Sequence, residues 1–165
     1  GDILTTTDYI TMRSQHIAEM RQALPDWVNE AETVAGRWHC LQPNLNVVRE
    51  TAAFLQQLPA QQRQIKRLAD LHLLFDQAKQ VWLSAQDALS TLRLHGERLN
   101  HRLESIEATH HLLTHSDTNP DSHTPRTAIL QQVIARHLDD AFRAGQPEDA
   151  IHALAQAETY LQKLL

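Results

Sequence analysis

Pro59–His115, PAQQRQIKRLADLHLLFDQAKQVWLSAQDALSTLRLHGERLNHRLESIEATHHLLTH, is the stretch whose reading decides the fold. With Leu68 as position a of a heptad, the a positions are Leu68, Phe75, Trp82, Leu89, Gly96, Leu103 and His110. The d positions are Leu71, Ala78, Ala85, Leu92, Leu99, Ile106 and Leu113. All but Gly96 and His110 are apolar, and no proline interrupts after Pro59. A 3,4 spacing held this long predicts a helix that packs lengthwise along one stripe. Such a helix would run roughly 85 Å, against a radius of gyration of about 15 Å for a compact chain of this size. The expectation is an all-α, elongated multi-helix bundle on one long central helix, with a distal coiled-coil-like hairpin arm.

Working outward, the stripe is not uniform. Leu74, Val81 and Ala88 widen it at position g, as in a helix inside a bundle. Beyond Gly96 it narrows to a and d, flanked by Glu97, Arg98, Arg102 and Glu104. Before residue 59 three short helices are expected. Thr5-Thr6-Thr7-Asp8 offers capping residues for the first, which Leu24-Pro25 should end. The second spans about Trp27–Leu41 and contains Gly36; the third follows Pro43-Asn44. Pro59 suits the first position of the long helix. Ser116–Thr124 has no hydrophobic residue and reads as a loop. Residues 126–165 read as a helical hairpin turning at Ala144–Asp149, with Gly145 just past the first helix. The whole is one domain.

Composition agrees. The 165 residues are 42% hydrophobic with only four glycines, too few for the turns of a β protein. Fifteen basic face 20 acidic side chains, and no third of the chain is net basic except the middle one, by a single charge. That leaves no phosphate-neutralising surface, so nucleic acid is not expected as partner. No apolar run is long enough to insert in a membrane. The chain opens at Gly1 rather than methionine, as a piece or processed product would. Cytoplasm is the default compartment, the alternative being a sensor domain cut from between membrane spans. Cys40 is the only cysteine and reads as a small buried residue.

Gly145, Ala150, Leu154 and Ala157 fall at the spacing where the two helices of a tetratricopeptide unit turn and pack, so the last hairpin resembles half of one. The resemblance covers about a tenth of the chain, and no second copy occurs at the 34-residue period. His137-Leu138 stand where that family places a leucine–glycine pair. It implies helical-hairpin geometry only.

Histidine is the unusual residue, eleven in all. Glu107, His111 and His115 stand at i, i+4 and i+8, with His110 beside them, and could weakly hold zinc. Glu107-Ala-Thr-His110 matches the Glu-x-x-His of carboxylate di-metal bundles, which need a second such motif on facing helices. None occurs before residue 59 or after 116. The group is therefore read as polar surface near a hairpin tip, with no cofactor. No phosphate loop, nucleophile elbow or paired catalytic carboxylates appear, and no enzyme is expected. Trp27, Trp38 and Trp82 lie on apolar stripes and read as core. The functional expectation is a non-catalytic scaffold or adaptor module joining a second copy or another helical protein through Leu99, Leu103, Ile106, His110 and Leu113. The alternatives are the ligand-sensing helical bundle of a bacterial receptor and a small metal-binding bundle.

Overall fold

Thr5 and Asp8 show why the first helix begins where it does. The Thr5 hydroxyl accepts the Asp8 amide at 3.1 Å, and the Asp8 carboxylate accepts the Thr5 amide at 3.3 Å. This is a reciprocal cap on two otherwise orphaned donors. The structure, a computed structural model, describes residues 5–115 and 125–165, the side chains of 114 and 115 excepted. The loop expected at Ser116–Thr124 lies outside the described residues. The described chain is all-α: α1 (Thr6–Ala35), a 3-10 turn (His39–Leu41), α2 (Gln42–Gln64), α3 (Leu68–His115), α4 (Pro125–Arg143) and α5 (Pro147–Gln162).

The helix boundaries differ from the sequence expectation in two places, for physical reasons. The first helix does not stop at Pro25; α1 carries it internally. A proline there removes the bond to the Arg21 carbonyl and costs roughly 3 kcal/mol. Pro25 and Arg21 are both exposed, so water can take that carbonyl. Leu24, Ala31 and Ala35 are buried on the neighbouring face, and their packing holds the helix together across the site. The helix ends instead at Gly36, whose φ of 45° is left-handed and favours glycine. Likewise Pro59 lies inside α2, and the long helix starts at Leu68. The break at 65–67 is marked by charge: Lys66 and Arg67 follow the end of α2, while Asp70 opens α3. Each sign is favourable at its own helix terminus.

The chain packs as two compact units. The first comprises residues 1–33 and 43–92, that is α1, α2 and the first part of α3. Its core joins Ile17, Met20 and Leu24 of α1, Leu55 and Leu58 of α2, and Leu71, Leu74, Phe75 and Ala78 of α3. Leu71, Leu74, Phe75 and Ala78, at d, g, a and d of α3, thus face inward, whereas Leu68, at the first a position, is exposed. Thr51 is the one buried polar residue of this unit among the described residues. Its hydroxyl stays satisfied by the carbonyls of Val47 at 2.8 Å and Val81 at 3.2 Å, tying α2 to α3. Trp27 and Trp82 are half-buried and stack with centroids 4.3 Å apart.

The second unit comprises residues 34–42 and 93–165. Its core takes Ala35, Trp38 and Leu41 with Leu99 and Ile106 of α3, Ile134 and Ala141 of α4, and Ala150, Leu154, Ala157 and Leu161 of α5. α4 and α5 pack against each other, and Gly145 between them does not take the left-handed conformation of a glycine cap. Pro147 opens α5, followed by Glu148 and Asp149, whose charge suits a helix N-terminus.

Candidate interaction groove

Within the second unit, α3 and α4 lie side by side over residues 106–111 and 131–138. Their stripes do not close completely. They leave a groove of about 470 Å³ lined by Ile106, Glu107, His110, His111, Gln131, Ile134, Ala135 and Leu138. The two isoleucines are almost fully buried, at 2% exposure each, and form its floor. Ala135 is exposed and Leu138 half-buried, while the polar side chains come from both helices. Ala135 contributes only a methyl to the α4 wall of the groove.

The groove is braced at the other end of α4. The Phe142 ring packs on Trp38, centroids 4.6 Å apart, and the Arg37 guanidinium lies 3.9 Å from its centroid. The Trp38 indole N–H donates to Asn100 Oδ1 at 2.7 Å. Asn100 Nδ2 in turn donates to the Val34 carbonyl at 3.0 Å, one of the last carbonyls of α1. Asn100 therefore satisfies a buried indole and a helix end at once. The heptad reading missed it, because it sits at position e and carries no apolar signal. A lone asparagine between Leu99 and Leu103 was the available clue. Toward α5, Arg102 pairs with Glu158 at 2.9 Å, and the His137 and Tyr160 rings stack at 5.4 Å.

The residues singled out in the sequence divide clearly. Leu99 and Ile106 are taken up by the unit's own core, at 0% and 2% exposure. Leu103, His110 and Leu113 are half-buried, and of these His110 lines the groove. Leu112 and Ile129 are large apolar side chains open to solvent, at 66% and 60%. Glu107 and His111 are both at the groove, whereas the His115 side chain lies outside the described residues. Among the described residues, no three His, Cys, Asp or Glu side chains gather closely enough to hold a metal ion.

Cys40 lies in the 3-10 turn, buried. Burial, foremost, pushes its thiol above the ordinary value; a backbone hydrogen bond opposes this, and the Glu148 carboxylate adds to it. A raised thiol holds little thiolate at neutral pH and is a poor nucleophile.

No helix among the described residues is long and apolar enough to cross a membrane. Comparison with known proteins returns no matching family model, no similar curated protein and no similar solved structure.

Proposed function

We propose that the chain is a non-catalytic helical interaction module that receives a helix of a protein partner, first of all a second copy of itself, in the α3–α4 groove. The observation that carries this reading is the groove's composition. An apolar floor of Ile106 and Ile134, continued by Ala135 and Leu138, is bordered by Glu107, His110, His111 and Gln131. That is the surface into which an amphipathic helix lays its apolar face. The chain's own helices are amphipathic, which makes a second copy the natural occupant.

The test is light scattering over a wide concentration series, comparing the native chain with Ala135→Glu. Residue 135 is exposed, so the substitution leaves the fold intact and places charge in the groove. A concentration-dependent dimer that is lost in the variant is the expected result. A monomer at every concentration, or a dimer indifferent to Ala135→Glu, overturns the reading.

A further inference from the structure

The first unit carries a second opening of different chemistry. Between α1 and α3 lies a cleft of about 300 Å³ lined by Ile17, Met20, Phe75, Ala78, Trp82 and Leu83, together with Arg13, His16 and Lys79. Its residues fall at i, i+3, i+4 and i+7 on α1, and at i, i+3, i+4, i+7 and i+8 on α3. Two helical stripes therefore face each other across it. Ala78 supplies only a methyl between Phe75 and Trp82, one turn to either side, and this leaves the space. Leu83 is 44% exposed, an apolar side chain at the edge of the cavity.

All three ionisable groups lining the cleft are basic in type, and none is acidic. His16 has a neighbour in Glu19, with Nδ1 3.8 Å from the carboxylate. The Arg13 guanidinium lies 5.6 Å from the Tyr9 ring centroid, and among the described residues it has no carboxylate partner. Lys79 has no ion-pair partner among the described residues. The two fixed cations therefore come from opposite helices and border an apolar, ring-lined interior.

We infer that this cleft binds a small apolar monocarboxylate, its tail or ring between Phe75 and Trp82 and its carboxylate held by Arg13 and Lys79. Arginine's planar fork suits a carboxylate, and lysine adds a point charge from the facing helix. Size sets the class. The cavity equals roughly ten water volumes, room for a ligand of about ten non-hydrogen atoms, and lies at the lower end of the range for ligand pockets. A polyanion fits poorly, because the interior beyond the two cations is apolar and would strand a second charge. The inference stands on residues of the first unit alone and goes beyond the docking role, so either can fail without the other.

The test titrates the full chain with phenylacetate and octanoate, and separately with their neutral isosteres phenylacetamide and octanamide. Amide chemical shifts locate the site, and tryptophan emission follows occupancy through Trp82. Saturable carboxylate binding is expected, with shifts at residues 13–20 and 75–83. Each amide should bind at least about tenfold more weakly, the worth of a charge-assisted hydrogen bond. Arg13→Gln combined with Lys79→Gln should remove that preference. Both residues reach solvent, and an unchanged thermal melt will show that the double variant is folded. Equal binding of acid and amide, shifts elsewhere in the chain, full affinity in the double variant, or no saturation with either acid would each overturn the assignment.

Discussion

Replacing Gly96 with alanine sets two effects of opposite sign against each other. Gly96 lies inside α3, where helix propensity alone says that alanine should stabilise by about 1 kcal/mol. The structure says otherwise. A Cβ built there would fall well inside the van der Waals radius of Val34 Cγ1, with Leu41 Cδ1 and the Val34 carbonyl oxygen each at 3.5 Å. Valine in a helix has essentially one favoured χ1, so Cγ1 cannot swing aside cheaply. The carbonyl behind it accepts the Asn100 hydrogen bond and resists movement as well. Overpacking of this kind costs typically about 1–3 kcal/mol. Against the propensity gain, Gly96→Ala should come out destabilising by up to about 2 kcal/mol, a fall in melting temperature of up to roughly 8 °C for a chain of this size.

Thermal unfolding followed by helical circular dichroism measures it, with two comparisons that isolate the cause. In the Val34→Ala background the clash is gone, and Gly96→Ala should turn neutral or stabilising. The double-mutant cycle should then show a coupling of about 1–3 kcal/mol, the size of the overpacking cost. Gly145→Ala is the second control. Its Cβ meets nothing within 4 Å, and Gly36 alone among the described glycines has a positive φ. That change should leave stability level or raise it slightly. A Gly96→Ala chain as stable as the native one, or more so, would refute the close packing of Val34 on α3.

The bridging asparagine and the buried thiol offer two further checks. Asn100→Leu leaves the Trp38 indole N–H and the Val34 carbonyl without their partner, and should cost about 2–3 kcal/mol in urea unfolding. No loss would mean that both groups find other partners. Cys40 should react with a thiol reagent at pH 8 far more slowly in the folded chain than in urea; equal rates would place it at the surface. Because burial raises its folded value above the unfolded one, its contribution to stability is intact below the ordinary thiol range. It fades as pH rises through that range toward the folded value. A Cys40→Ala chain should lack this alkaline component of the stability profile.

The a/d/g stripe of α3 could be read from the sequence because burial and period are both local properties of a helix. Phe75, Ala85, Leu89, Leu92 and Leu99 are all buried where the heptad puts them. The prolines misled because their cost depends on which way the helix faces. At Pro25 the ring is exposed while the core holds the neighbouring face, and nothing local reveals that. The better boundary signals were electrostatic and steric: Lys66-Arg67 before Asp70, and Gly36 at a left-handed helix end. Trp82 was expected in the core, yet it is half-buried against Trp27 and lines the cleft. An a position guarantees a neighbouring helix; it does not guarantee that the neighbour covers a ring as large as indole.

The sites turn on small residues, whose meaning a single helix cannot supply. Gly96, Ala78 and Ala135 each leave a gap where a larger side chain would project. At Gly96 the gap is filled by Val34 and Leu41, so the residue serves packing. At Ala78 the facing residues of α1 leave the space between Phe75 and Trp82 open and place Arg13 and His16 at the same cleft. At Ala135 the facing turn of α3 supplies Glu107, His110 and His111, and the space becomes a groove with polar borders. All three are small residues on helix faces, and the difference lies in what the facing helix contributes. A filled gap gives stability, and an open one with cations on both walls suits the carboxylate proposed for it. One with an apolar floor and polar borders suits a helix. On this basis a bulky substitution should unfold the second unit at residue 96, whereas at residue 135 it should abolish association and spare the fold. Ala135→Leu provides the sharper version of that contrast. By filling the groove it should suppress a dimer without loss of melting temperature, whereas Gly96→Leu should lower the melting point by more than Gly96→Ala does.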